Sequence, residues 1–122
     1  MLRLIILLGM LLALAACGTP TPTPRTMPAE ITGVEVEVLE SQPVQVVAFV
    51  SGGLGDGCTS LGPISQARSG STIELTVNAT HSGAEACTMI YQTFEERIPL
   101  EGEFAPGQYT LIVNGSAHSF TV

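Results

Sequence analysis

Residues 105–122 read APGQYTLIVNGSAHSFTV and carry the clearest signal of architecture in this chain. Pro106-Gly107 supplies the two central residues that a type II turn prefers. Asn114-Gly115 is the residue pair most typical of a two-residue β-hairpin. Apolar and polar residues alternate on both sides of this pair, which predicts strands with one buried face. The residues expected to face the core are Tyr109, Leu111 and Val113 on one strand and His118, Phe120 and Val122 on the other.

The same two-residue period recurs along most of the chain before residue 105. Its clearest instance is Thr72–Thr80, in which every second residue is apolar, and Ile31–Leu39 repeats the pattern. Further strands are expected at 44–50, 61–67 and 87–94, the last with Met89 in the core. No segment shows the period of an amphipathic helix. Short strands separated by turns predict an all-β domain, a sandwich of about seven strands.

One local feature bears on the topology of this sandwich. The run Pro106-Gly107-Gln108-Tyr109, just before the penultimate strand, resembles the tyrosine-corner region of immunoglobulin-like and fibronectin-like domains. The resemblance covers about ten residues. It implies a small Greek-key (immunoglobulin-like) β-sandwich.

The N-terminus has the pattern of an export signal. Leu4–Ala16 is an apolar run of 13 residues, which is shorter than the roughly 20 needed to span a bilayer and fits a secretory signal peptide. Leu14-Ala15-Ala16-Cys17 resembles the bacterial lipobox, in which the cysteine is acylated and becomes the mature N-terminus. We therefore expect residues 1–16 to be removed and Cys17 to be lipidated. The protein is then expected in the cell envelope, facing outside the cytoplasm, on the plasma membrane or the outer membrane.

A Thr/Pro-rich segment follows the lipobox cysteine. Residues 18–28 read GTPTPTPRTMP, and each proline pushes the residue before it into extended geometry. Such a segment behaves as a semi-rigid spacer. We therefore divide the mature chain into a lipidated spacer at 17–28 and one β-sandwich domain at 29–122, with the acyl chains as its membrane contact.

The charge balance argues against several classes of partner. Beyond residue 16 the chain has three arginines, no lysine and eleven acidic residues, which gives a formal net charge of −8. Phosphate backbones and anionic lipid surfaces repel such a chain, so nucleic-acid binding is not expected. Acidity of this kind is typical of a soluble surface.

The cysteines divide into one for lipid and two for the domain. With Cys17 assigned to acylation, Cys58 and Cys87 remain, and an exported protein matures in an oxidising compartment. A disulfide between them is the expected outcome. The competing interpretation is a free metal-binding or redox pair, although such cysteines usually stand in a C-x-x-C spacing.

The residue types needed for catalysis or metal binding are scarce. His81 falls in a predicted loop, His118 falls on a predicted strand, and Asp56 is the only aspartate. No Gly-x-Ser-x-Gly motif surrounds a serine, and pairing Cys58 with Cys87 removes the best ligands for zinc. We therefore expect no enzymatic activity, no cofactor and no metal.

Several short segments together resemble a known group of proteins. They are GDGCT (55–59), TIELTV (72–77), ACT (86–88), FEERIPL (94–100) and PGQYTL (106–111). This set is similar to a group of uncharacterised bacterial lipoproteins and secreted proteins that carry one such domain. The resemblance implies a domain built around the Cys58–Cys87 pair, and it implies no activity.

Two predicted loops, Ser51–Gly57 and His81–Ala86, are the candidate contact surfaces. The first is rich in glycine, which lets a backbone approach a partner closely, although a flexible connector would have the same composition. The candidate binding residues are Gly52, Gly53, Asp56 and His81.

These features predict a non-enzymatic, lipid-anchored β-sandwich module with a binding or structural role in the envelope. Its expected partners are the membrane, through the lipid, and an envelope protein or protease. The alternative is an inhibitor or regulator of an extracellular protease that acts through the end loops. The sequence carries no signal for an oligomeric state.

Overall fold

The computed structural model of the chain describes residues 16–122. The predicted signal peptide therefore lies outside the described residues, apart from Ala16. Nothing helical in the described part has the length and apolarity to cross a membrane. Cys17 is exposed, and it is followed by an irregular segment that leads into the first strand.

Eight strands make up the domain, and every connection between them is a turn or an irregular loop. The strands are β1 (Arg25–Pro28), β2 (Glu30–Leu39), β3 (Gln45–Leu54), β4 (Thr59–Ser69), β5 (Thr72–His81), β6 (Gln92–Pro99), β7 (Gln108–Val113) and β8 (Ser116–Thr121). The all-β prediction is confirmed. The count exceeds the expected seven because β1 forms within the last residues of the predicted spacer.

The strands form two sheets. One sheet has the order β2-β3-β6, and the other is built around β5. Strand β4 pairs antiparallel along the whole of β5, from Ser69↔Thr72 to Thr59↔His81. The opposite edge of β5 is shared, because β7 pairs parallel with its first half and β1 pairs antiparallel with its last four residues. Strand β8 closes this sheet as the antiparallel partner of β7.

The core lies between the two sheets, as in a β-sandwich. Every second residue of β5 and β7 is buried, and β3 contributes a third buried row. The fully buried side chains with the largest volumes are Ile73, Leu75, Leu111, Val46, Val47, Val50, Val77 and Val113. The alternation predicted for Thr72–Thr80 and for the strand at Tyr109 is thereby confirmed.

The C-terminal hairpin forms as its sequence predicts. Asn114 and Gly115 connect β7 to β8 with φ angles of 46° and 88°, the positive values that a tight hairpin turn needs. The Tyr109 hydroxyl donates a hydrogen bond of 2.7 Å to the carbonyl oxygen of Ala105, four residues upstream. The ring of Tyr109 stacks on Phe120 with centroids 5.4 Å apart.

Two predicted boundaries are wrong. Gly52 and Gly53 were expected in a flexible loop, but both are buried in β3. A side chain on Gly52 would overlap the ring of Phe94, and one on Gly53 would overlap the ring of Tyr91, so these glycines make room for aromatic rings. The strand expected at 87–94 begins only at Gln92, because residues 82–91 cross from the β5 sheet to the β6 sheet.

Candidate functional site

The strand registers bring the candidate residues to one end of the sandwich. Arg25 and Thr59 both pair with His81, which ends β5. In the other sheet, Leu54 pairs with Gln92, so β3 ends and β6 begins at the same level. The connections 55–58 and 82–91 therefore lie together, next to the point where the N-terminal segment enters. We call these two connections the disulfide end.

The Cys58–Cys87 disulfide ties the two connections to each other. It joins residues 29 apart in sequence, with the Cα atoms 5.4 Å apart. Two backbone hydrogen bonds flank it, from Ser82 N to the Cys58 carbonyl and from Gly57 N to the Thr88 carbonyl, each 2.9 Å long. The predicted disulfide is confirmed, and its surroundings fix the path of residues 82–91.

Asp56 organises the shorter connection. Its Oδ1 accepts hydrogen bonds from the Cys58 backbone N–H at 2.9 Å and from the Thr59 hydroxyl at 2.8 Å. This is an Asx turn, in which an aspartate side chain replaces a backbone partner. The hydrogen bond from Thr59 is the main cause that lowers the pKa of Asp56 below its usual value of 3.8, helped by the Cys58 N–H and by His81.

His81 is held in one tautomer by its neighbours. Its Nδ1 accepts a hydrogen bond of 2.9 Å from the Gly83 backbone N–H, so the proton of the neutral ring must lie on Nε2. That Nε2 is 3.7 Å from Asp56 Oδ2 and 3.6 Å from Cys87 Sγ. The side chain is only 12% exposed, and its N–H donor is therefore directed at the carboxylate and the disulfide.

The cluster contains the residue types of a metal site, but most of their donor atoms cannot bind a metal while the disulfide is formed. Asp56, Cys58, His81 and Cys87 each bring one potential ligand atom within 4.8 Å of the others. However, metal ligation requires thiolates and an unprotonated ring nitrogen. The two sulfurs are bonded to each other, and the His81 nitrogen that faces them carries the proton. Asp56 alone retains a ligand atom that is ready for a cation.

A cleft of about 410 Å³ opens beside this cluster. It lies where β1 leaves one sheet and β2 begins in the other. Polar groups of Arg25, Asp56 and His81 share its wall with apolar atoms of Met27 and Leu54. Such a mixed lining suits an extended peptide or a small polar ligand better than a purely apolar one.

The most exposed large apolar residues of the described chain also belong to the disulfide end. Met89 is 93% exposed, Ile90 54% and Tyr91 55%. The core position expected for Met89 is wrong, because the segment crosses between sheets instead of joining one. Three consecutive apolar residues beside a cysteine were the available signal, but the same pattern also describes a buried strand.

The sequence-predicted binding residues thus separate into two pairs. Asp56 and His81 meet at the disulfide end, 3.7 Å apart. Gly52 and Gly53 lie inside β3, where their backbone groups pair with β2 and β6. Of the predicted contact loops, residues 55–57 and 82–86 are connections at one end, whereas residues 51–54 belong to a strand.

Comparison with known proteins places the chain in a family. The family model of the ORF11 beta-sandwich domain matches residues 48–122. An uncharacterised 10.2 kDa protein in the HgiCIIM 5' region of Herpetosiphon aurantiacus is 36% identical over 89 residues, which cover 73% of this chain and 95% of that protein. A second, in the HgiBIM 5' region of the same organism, is 33% identical over 79 residues, covering 65% of this chain and 96% of that protein.

No solved structure matches the chain. The matched residues include most of β3, both cysteines of the disulfide and all strands from β4 onward. The predicted membership of an uncharacterised β-domain family is confirmed at this level. The chain belongs to the ORF11 beta-sandwich domain family.

Proposed function

We propose that this chain is a lipid-anchored, extracytoplasmic binding module without enzymatic activity, and that it contacts an envelope protein through the disulfide end. The anchor follows from the lipobox resemblance at Cys17. The binding role follows from the surface of the domain.

The exposure of Met89, Ile90 and Tyr91 is the observation that carries the binding proposal. Methionine and aromatic residues are enriched in the buried centres of protein interfaces. The disulfide and its two flanking hydrogen bonds hold the segment in place before any partner arrives. Binding a preformed segment avoids part of the entropy cost of ordering it.

The path of the N-terminal segment supports an orientation in which the disulfide end faces the membrane. It enters the domain at Arg25, beside His81, and residues 19–23 line a shallow groove together with Gly83–Glu85. If Cys17 carries the lipid, the seven residues 18–24 reach at most about 20 Å, their length in polyproline II geometry. The disulfide end then faces the bilayer, so the expected partner is a protein at the membrane surface.

The hydrogen bonds within the polar cluster support the absence of enzymatic activity. The Thr59 hydroxyl donates to Asp56, not to His81. His81 presents an N–H to its surroundings and uses its other nitrogen for Gly83, so the ring has no free lone pair for a general base. Among the described residues, the cluster lacks the nucleophile–base pair that hydrolysis needs.

Affinity capture from native membranes tests the binding proposal. Tagged full-length protein is solubilised in detergent and captured, and retained proteins are quantified by mass spectrometry. Loss of a hot-spot side chain costs about 2 kcal/mol or more, so replacing Met89, Ile90 and Tyr91 by serine should deplete the partner. The control replaces exposed Glu103 and Gln108, at the opposite end, by serine. Equal recovery with both variants would contradict the proposed surface.

One observation favours inhibition of an extracellular protease as a second candidate. Residues 82–91 form no regular secondary structure, and Met89 projects from a segment fixed by a disulfide. Such a segment can enter a protease cleft with Met89 as the specificity residue. Stoichiometric inhibition of a secreted protease that Met89→Asp abolishes would favour this role. Inhibition unaffected by Met89→Asp would exclude this segment as the inhibitory element.

A further inference from the structure

The two sulfurs of the Cys58–Cys87 disulfide have different surroundings. Cys87 Sγ lies 3.6 Å from His81 Nε2 and 3.6 Å from the Ala84 carbonyl oxygen. Cys58 Sγ lies 3.5 Å from the Ala86 carbonyl oxygen. A carbonyl oxygen repels a thiolate, whereas an N–H donor stabilises it. Within residues 16–122, a side-chain N–H lies within hydrogen-bonding distance of Cys87 Sγ, and no side-chain N–H forms a hydrogen bond with Cys58 Sγ.

His81 is fixed so that this donor cannot turn away. The Gly83 N–H occupies Nδ1, and a ring flip or a change of tautomer would break that hydrogen bond. The Asp56 carboxylate, whose Oδ2 lies 3.7 Å from Nε2, also favours the N–H at this position. The ring therefore offers a hydrogen bond to Cys87 without donating its proton, because a neutral imidazole that lost it would become an anion.

From this asymmetry we propose that the disulfide is a site of reversible exchange with low-molecular-weight thiols, in which Cys58 is the attacked sulfur, Cys87 the leaving thiolate and His81 the positioning residue that stabilises it. This activity goes beyond the proposed binding role and does not depend on it.

The exchange balances without any further reagent. The thiolate of the incoming thiol attacks Cys58 Sγ in line with the S–S bond, and its electron pair forms the new S–S bond. The electron pair of the old bond leaves with Cys87, whose thiolate accepts the Nε2–H hydrogen bond. The products are a mixed disulfide at Cys58 and a thiolate at Cys87. In the reverse step, Cys87 attacks Cys58 and expels the small thiolate.

The flanking hydrogen bonds make this reversal efficient. They run from Ser82 N to the Cys58 carbonyl and from Gly57 N to the Thr88 carbonyl, so they do not involve the sulfurs. They keep Cys87 beside Cys58 after the S–S bond opens. Reclosure is then an intramolecular reaction with the reacting atoms held together, so exchange does not require the domain to unfold.

Mass spectrometry after reaction with reduced glutathione tests the proposal. The full chain carries Cys17→Ser, so that Cys58 and Cys87 are its only cysteines. It is exposed to excess glutathione, quenched in acid and digested. We expect the glutathione adduct on Cys58, with Cys87 free. Because a hydrogen bond to the charged leaving thiolate is among the stronger hydrogen bonds, His81→Leu should slow adduct formation by about tenfold or more.

Three comparisons distinguish positioning from a general effect on structure. His81→Gln retains an N–H donor and should restore most of the rate and the preference for Cys58, whereas His118→Leu, on β8, should match the parent chain. Adducts divided equally between the two cysteines of the parent chain would overturn the proposal, and so would an unchanged rate in His81→Leu. If His81→Leu does not fold, the position of the glutathione adduct in the parent chain and the rate of adduct formation in His81→Gln still decide whether the proposal holds.

Discussion

The side-chain amide of Asn114 completes the backbone hydrogen bonding of Val77. Its Oδ1 accepts from the Val77 N–H at 2.9 Å, and its Nδ2 donates to the Val77 carbonyl at 2.9 Å and to the Ala29 carbonyl at 3.0 Å. Val77 lies where the edge of β5 changes partner from β7 to β1. One turn residue thus bridges the point between β7 and β1, the two strands that pair with the same edge of β5.

This arrangement predicts that Asn114 matters more than an ordinary turn residue. Asn114→Ala should lower the free energy of unfolding by about 2–4 kcal/mol, because it leaves the buried Val77 N–H without a partner and places alanine at positive φ. Urea denaturation measures the loss. Asn114→Gly also lacks the side-chain amide but avoids the cost of positive φ that alanine has. It should therefore recover only a minor part of the free energy of unfolding that Asn114→Ala loses.

The matched control for this prediction is Asn78→Ala. Asn78 makes one exposed hydrogen bond, of 3.1 Å, to the Pro63 carbonyl, so its loss should cost about 0.5 kcal/mol or less. A loss in Asn114→Ala no larger than that of the control would show that the amide does not hold the junction.

The two adjacent glycines of β3 should differ in their tolerance of a methyl group. Gly52→Ala would press against the Glu30 backbone carbonyl and the Phe94 ring, and overpacking of this kind costs about 1–3 kcal/mol. Gly53→Ala meets mainly the Tyr91 ring, which is half exposed and can move outward. Thermal unfolding should therefore rank Gly52→Ala as the less stable, with Gly55→Ala as an unstrained control. Equal stabilities for the Gly52 and Gly53 variants would argue against this packing.

The disulfide should contribute strongly to stability as well as to exchange. For a loop of about 30 residues, the chain-entropy estimate is about 3–4 kcal/mol, which is a large part of the stability of a small domain. Cys58→Ser combined with Cys87→Ser should lower the melting temperature accordingly. A melting temperature equal to that of the parent chain would mean that the flanking hydrogen bonds alone hold residues 82–91.

Asp56 should make stability depend on pH in the acid range. Its pKa is lowered in the folded state from the usual value of 3.8, so its contribution is fully present above that unfolded value and is lost as the pH falls through the lower folded value. Asp56→Asn retains an oxygen that accepts from Cys58 and Thr59 but does not titrate. The melting temperature of this variant should therefore fall less between pH 5 and pH 2.5 than that of the parent chain.

The exposed Glu85→Gln variant is the control for the acid titration. It also removes one carboxylate of the disulfide end but leaves the Asx turn intact. If Asp56→Asn and Glu85→Gln show the same acid dependence as the parent chain, the hydrogen bonds at Asp56 do not influence its protonation.

Much of the fold could be predicted from local patterns because strands with one buried face alternate. The strand at Thr72–Thr80 and the Asn114-Gly115 turn follow directly from such patterns. Gly52 and Gly53 could not be interpreted in this way, because a glycine that makes room for an aromatic ring looks the same as one in a flexible loop. The rings concerned lie about forty residues later in the chain, at Tyr91 and Phe94.

The candidate site was only partly predictable for a similar reason. Asp56 and His81 could be named as polar residues of two predicted loops, but their meeting depends on the register between β4 and β5. The tautomer of His81 depends on Gly83, whose backbone N–H has no signature in sequence. The exposure of Met89 depends on a crossing between sheets that a local window does not contain.

Site-specific photo-crosslinking in intact cells tests the central claim most directly. A photoreactive residue is placed at Ile90, at the disulfide end, or at Glu103, at the opposite end, and crosslinked products are identified from the membrane fraction. The account predicts one dominant envelope protein crosslinked from position 90 and none from position 103. It further predicts loss of that product in Cys17→Ser, since the domain no longer stays at the membrane. Crosslinks from position 103 alone, or equal products from both positions, would contradict the account.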